Sequence, residues 1–137
     1  MRSSPQTVEW VNRIALAIVF IWFGLLKVAD VSPAEGLVQE LLHMTLPFVS
    51  FDFFIIFLGV WEAGIGVLFL FPRLTRWAFW IMMAQMATTI GPLVLLPHVS
   101  WISPFVPSLE GQYIIKNVAL IALAYTLYVS HVRKNHV

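Results

Sequence analysis

The chain has 137 residues, 60% of them hydrophobic and 11% charged, with a formal net charge of +1. Soluble domains are about 45–50% apolar, so this surplus, with a mean hydropathy of +0.86, points away from an ordinary water-soluble domain and towards a bilayer. The small net charge gives no footprint for nucleic acid. The absence of cysteine excludes a disulfide framework, a Cys-ligated metal or cluster, and thiol redox chemistry.

The apolar residues fall in four blocks, Val11–Val28, Phe53–Phe71, Trp77–Leu96 and Tyr113–Val129. Each is about 17–20 residues long, the length a helix needs to cross hydrocarbon at ~1.5 Å per residue. The blocks do not alternate as the strands of a membrane barrel would. The reading is an all-α integral membrane protein: one transmembrane domain over residues 1–137, folded as an antiparallel four-helix bundle. The first block opens with Asn12 and Arg13 and lacks a small-residue cleavage pattern, so it is expected to stay as a span.

Between the first two blocks, Ser32-Pro33-Ala34-Glu35 has the order of a helix start: Ser as cap, Pro at the first position and Glu at the third. Leu37, Val38, Leu41, Leu42 and Thr45 then share one face, and Pro47 ends the pattern. This predicts a short amphipathic helix that caps the bundle or lies at the outer interface. The Phe71–Trp77 turn is short and makes the second and third spans antiparallel neighbours. The Pro97–Gln112 segment holds Pro97, Pro104 and Pro107. It reads as an irregular loop, ordered by Trp101 and Phe105 dipping into the interface.

Loop charge orients the bundle. Arg2, Arg13, Arg73, Arg76, Arg133 and Lys134 fall on one side, against Lys27 and Lys116 on the other. By the positive-inside rule both termini are cytoplasmic. Arg13 reads as an interface anchor at the cytoplasmic end of the first span.

Polar residues inside the spans carry the functional reading, because an ionisable group at such depth needs a partner, a proton or water. Glu62 lies mid-span between Gly59 and Gly66, and small residues let a neighbouring helix approach. Gln85, Thr88, Thr89 and Pro92 form one stripe on the third span. The threonine hydroxyls have their own helix as an alternative acceptor, whereas Gln85 has no local partner. Lys27 and Lys116, the latter followed by Asn117, sit in the outer half, either snorkelling to headgroups or reaching inward. The economical arrangement pairs Glu62 with Lys116, Lys27 or both, with Gln85 filling the spare oxygens. The candidate site is therefore Lys27, Glu62, Gln85, Thr88, Lys116 and Asn117, as a pocket floored near Glu62 and roofed by the Ser32–Leu46 helix and the Pro97–Gln112 loop. No catalytic residue is assigned. His43, His98, His131 and His136 lie outside the spans, which disfavours a buried bis-His haem, and no metal site is assigned.

The segments NRIALAIVFIWFGLLKV, SPAEGLVQELL, FLGVWEAGIGVLFLFPR and GQYIIKNVALIALA together resemble DoxX-like small membrane proteins. Phe23-Gly24 with Lys27, and Gly111 with Lys116-Asn117, are the most specific parts. The resemblance implies a four-helix bundle in the bacterial inner membrane. It further implies a small subunit tied to thiosulfate:quinone or quinol oxidation, or to oxidative stress. The bilayer, an oxidoreductase partner subunit and further copies of the chain are the partners considered. Three functions stand side by side. One is a redox- or stress-associated subunit whose polar cluster receives a quinone-like or small acidic ligand, with Trp61, Phe57 and Trp80 offering ring contacts. Another is a structural or assembly partner without ligand. The third is an oligomeric carrier or channel for small anions. No cofactor motif is evident, quinone being the one cofactor the cluster suits, and activity as an enzyme in its own right is left open.

Overall fold

A computed structural model describes residues 4–29 and 35–135. Among these residues, four helices are long and apolar enough to cross a membrane: Pro5–Val28, Phe51–Phe69, Pro72–Leu95 and Gly111–Lys134. The fold is an all-α membrane bundle. Each span reaches a few residues beyond its apolar block at one edge, and the last span at both, because caps set helix ends where hydropathy does not. Helix α1 (Pro5–Val28) starts at Ser4, whose hydroxyl accepts the Thr7 N–H at 3.2 Å, with Pro5 in the first position that needs no donor. Helix α3 (Phe51–Phe69) ends in a tight turn, Pro72–Leu74, that leads into α4 (Thr75–Leu95). The Thr75 hydroxyl donates to the Pro72 carbonyl at 2.8 Å and closes that turn. The last span is α6 (Leu109–Ile115) followed by α7 (Asn117–Asn135), with a one-residue break at Lys116.

Helix α1 packs on α3 and α7, and α4 packs on α3 and α7, so the spans form a ring in the order α1, α3, α4, α7. Successive spans run in opposite directions. The α1–α3 contact is the tightest, for a local reason. A Cβ placed on Gly24 would lie 2.5 Å from the Gly59 carbonyl oxygen and 2.6 Å from the Ala63 nitrogen. A Cβ on Gly66 would lie 3.0 Å from the Ala17 carbonyl oxygen. Small residues on both helices let the backbones touch, which is how helices associate in lipid when no hydrophobic force drives them together. Gly64, by contrast, faces open space. The apolar core joins Leu16 and Phe20, Ile65 and Phe69, Ala78, Phe79, Met82 and Met86, and Ala124 and Leu127. It fills the half of the bundle nearer the termini. Large side chains such as Trp22, Phe53, Val60, Trp77 and Val118 are exposed, as lipid-facing positions are.

The far end, opposite the termini, is covered by two elements. Helix α2 (Glu35–Thr45) buries Leu42 and lays Leu41 over Gly91 of α4. Its expected start at Ser32-Pro33-Ala34 lies outside the described residues. The second cover is ordered where the sequence suggested an irregular loop. A short turn of helix, α5 (Pro97–Ser100), leads into a hairpin of β1 (Trp101–Ser103) and β2 (Val106–Pro107). Side chains of the loop bind carbonyls at the end of α4, one of which, that of Pro92, also accepts the Leu96 N–H. The Ser100 hydroxyl donates to the Pro92 carbonyl at 2.8 Å, and the Trp101 indole N–H to the Leu93 carbonyl at 2.9 Å. Ser108 caps α6 by accepting the Gly111 N–H at 3.1 Å, and it donates to the Val99 carbonyl. Periodicity could not reveal this, because side-chain caps and not an apolar pattern hold the segment.

Valine at Gly24 should lower the stability of the purified protein in detergent by at least ~1–3 kcal/mol, the usual cost of overpacking. Gly64→Ala should be neutral or slightly stabilising, by up to ~1 kcal/mol, because alanine is the better helix former. Equal losses at both positions in thermal unfolding would contradict the backbone contact between α1 and α3.

Candidate functional site: a buried ion pair between helices

The close approach of the antiparallel α1 and α3 brings two ionisable residues within reach across the glycine contact, one a turn to either side of it. Lys27 lies three residues after Gly24 on α1, and Glu62 three after Gly59 on α3. The Lys27 Nζ donates to Glu62 Oε2 at 2.7 Å. From the third span, the Gln85 Nε2 donates to Glu62 Oε1 at 2.7 Å. Relative exposures are 7% for Lys27, 9% for Glu62 and 6% for Gln85, so all three belong to the interior. One carboxylate thus ties three spans together. Each of its oxygens accepts one donor, and the charges cancel. Lys27 has three N–H donors and Gln85 has two with one carbonyl acceptor. Glu62 takes one donor from each, so donors of both remain over.

The other expected members stand elsewhere. Thr88 and Thr89 both donate to the Gln85 carbonyl, at 2.7 and 2.9 Å, so their hydroxyls serve their own helix. Lys116 is exposed, its ammonium 5.7 Å from the centroid of the Tyr113 ring. Of the two candidate partners for Glu62, Lys27 takes the position. The break between α6 and α7 leaves Lys116 on the bundle surface, and Asn117 opens α7 half-exposed. The expected aromatic partners separate as well. Phe57 and Trp61 are neighbours on α3, with ring centroids 5.9 Å apart, whereas Trp80 packs against Tyr128 in the half nearer the termini.

A cleft of about 480 Å³ opens at the far end between α2 and the α4–α5 corner. It is lined by Gly36, Gln39, Glu40, His43, Met44, Leu96 and His98, and by none of the Lys27–Glu62–Gln85 group. The expected pocket floor at Glu62 is therefore not the floor of this cleft. His98 Nε2 lies 3.5 Å from Glu40 Oε2 across it. Among the described residues no group of three His, Cys, Asp or Glu is placed to hold a metal ion.

A second buried charged group was read from sequence only as an interface anchor. Arg13 is 1% exposed. It donates from Nη1 to the Phe69 carbonyl at 2.8 Å, and from Nη2 and Nε to Glu9 Oε1 at 2.8 and 3.1 Å. The other Glu9 oxygen takes Lys134 from α7. Arg13 thus satisfies a carbonyl at the end of α3, and Glu9 joins the first span to the last. The signal in the sequence was the Glu9-to-Arg13 spacing of four, which places both on one helix face.

The family model for DoxX matches residues 10–97, almost two thirds of the chain. The chain belongs to the DoxX family. No curated protein and no solved structure matches it. The matched stretch runs from α1 through α4 and contains Gly24, Lys27, Gly59, Glu62 and Gln85. Lys116 and Asn117 lie beyond it. With four apolar spans, this DoxX-family chain is a multi-pass membrane protein.

Removing one partner of a buried ion pair costs ~3–5 kcal/mol, whereas replacing the whole group with apolar residues of similar volume is often neutral. Lys27→Met or Glu62→Ala alone should therefore lower stability in detergent markedly. The combined Lys27→Met, Glu62→Met and Gln85→Met variant should recover most of the loss, and Lys116→Met should change little. Unfolding monitored by circular dichroism reads all four. A Lys116→Met loss as large as that of Lys27→Met would contradict the assignment.

Proposed function

We infer that this DoxX-family protein is a small inner-membrane subunit associated with redox or stress chemistry. In this reading the Lys27–Glu62–Gln85 group receives a ring carbonyl of a quinone-like molecule or the carboxylate of a small acid. The observation that carries the reading is the surplus of donors on Lys27 and Gln85 after Glu62 has taken one from each. A quinone ring offers carbonyl acceptors and an apolar body, and Phe57 and Trp61 supply aromatic surface on the same helix as Glu62. The Lys27 and Glu62 side chains keep 8% and 11% of their surface open, so both would meet the ligand. Glu62, between two donors, would hold or pass a proton at a carboxylate oxygen. The function of a bound quinone would be to carry electrons; this chain's residues would bind and orient it. Six basic residues at the end bearing the termini support placing that end in the cytoplasm. The ligand group would then lie in the outer half of the bilayer.

A second reading has its own observation. Both Glu62 oxygens are already occupied, and the glycine contact between α1 and α3 sets their distance. On that reading the group is a packing lock, and the protein serves as an assembly partner.

Mass spectrometry of lipids extracted from the protein purified from native membranes separates the two. The ligand reading expects a quinone or small acid retained at near-stoichiometric level, and its loss from the apolar triple variant while the fold persists. An extract without such a molecule, or equal retention by the triple variant, supports the lock. For the orientation, a cysteine at Gln39, exposed on α2, should react with an impermeant maleimide added to intact cells. Labelling only in inverted vesicles would reverse it.

A further inference from the structure

The β1–β2 hairpin breaks a local rule. Its connection is Pro104-Phe105, and Phe105 has φ 65°. Proline first and a left-handed residue second is an order in which glycine or asparagine normally takes the second place. A bulky L-residue is disfavoured there, because its Cβ crowds the following carbonyl. Phenylalanine nevertheless occupies it, and the residue is 97% exposed. The ring does not repay the strain through contacts within the chain. Positions that break a local rule without an internal gain tend to be functional.

The surroundings point to what the ring meets. Ile102, Val106 and Leu109 are also exposed, and from Val99 to Leu109 no residue carries a charge. The exposed apolar surface continues onto Val94 and Leu95 of α4 and onto Tyr113 and Ile115 of α6, in segments assigned to the spans. Trp101, the other aromatic expected at the interface, is only half-exposed, and its indole N–H is bound to the Leu93 carbonyl. It pins the hairpin to α4. We propose that the hairpin is a lipid anchor: Trp101 fixes its base to α4, and the turn at Pro104-Phe105 presents the Phe105 ring to the acyl chains of the far leaflet. A protein pocket on a partner would favour a charged or polar rim around such a tip, and an uncharged tip continuous with the lipid-facing belt fits the bilayer instead.

The chain has no cysteine, so a Phe105→Cys variant can carry one environment-sensitive fluorophore. It is reconstituted in vesicles of phosphatidylethanolamine and phosphatidylglycerol. Val118→Cys, exposed on α7, is the lipid-facing reference, and the free fluorophore–cysteine adduct in buffer is the aqueous one. The expected result is loss of fluorescence to nitroxide-bearing lipids, as at position 118, and protection from iodide. Iodide quenching equal to that of the free adduct, without loss to the lipid nitroxides, places the tip in water and overturns the anchor. Phe105→Gly should leave the melting temperature in detergent unchanged or raise it, since it relieves the turn. A clear fall would mean that the ring packs within the protein, and would overturn the proposal equally.

Discussion

The bundle turns on one ion pair, Lys27 to Glu62, and on the glycines that allow it. A carboxylate inside a membrane span is tolerable only with donors at hand. The Gly24–Gly59 contact brings the antiparallel α1 and α3 backbones together, and the 2.7 Å Lys27–Glu62 contact spans it, with one partner a turn to either side. Gln85 then fixes α4 to the same carboxylate. Packing and polarity are thus coupled here: side chains larger than glycine would separate the two charges, and loss of either charge would leave the other unpaired at depth.

The Glu9–Arg13–Lys134 group repeats the logic at the other end. There a buried guanidinium takes a carbonyl at the end of α3 while a carboxylate links α1 to α7. Between the two groups lies the apolar core of Leu16, Phe20, Ile65, Phe69 and Met82. In lipid, apolar packing alone does not select one arrangement of helices, since lipid tails are as apolar as leucine. Two polar ties at different depths set which helices are neighbours and in which register.

Much of this was legible in the sequence. Block length revealed the spans, and the glycines flanking Glu62 revealed that it faces protein. The stripe on α4 revealed that Gln85 must reach across. What the sequence left open was geometric. Lys27 and Lys116 both sit near span ends, and only the break after Ile115 decides that Lys116 lies on the surface. Arg13 looked like an anchor because the Phe69 carbonyl it binds, and the Lys134 that shares Glu9 with it, are remote in sequence. The hairpin was hidden because backbone carbonyls, not side-chain periodicity, are what Ser100, Trp101 and Ser108 recognise. The family match, which covers residues 10–97, spans the tie among α1, α3 and α4 and stops before the last span.

For the proposed function, the same tie is either a place where a ligand meets spare donors or a lock that keeps a small subunit rigid. Both depend on Lys27 and Glu62 being in contact in a bilayer. The most direct measurement is a solid-state NMR dipolar recoupling experiment between a ¹⁵N label on the Lys27 ammonium and ¹³C on the Glu62 carboxylate, with the protein in lipid. A strong coupling, as a 2.7 Å N–O contact requires, is the result the account predicts. The absence of coupling, with the Lys27 ammonium instead coupled to lipid phosphate, would contradict it.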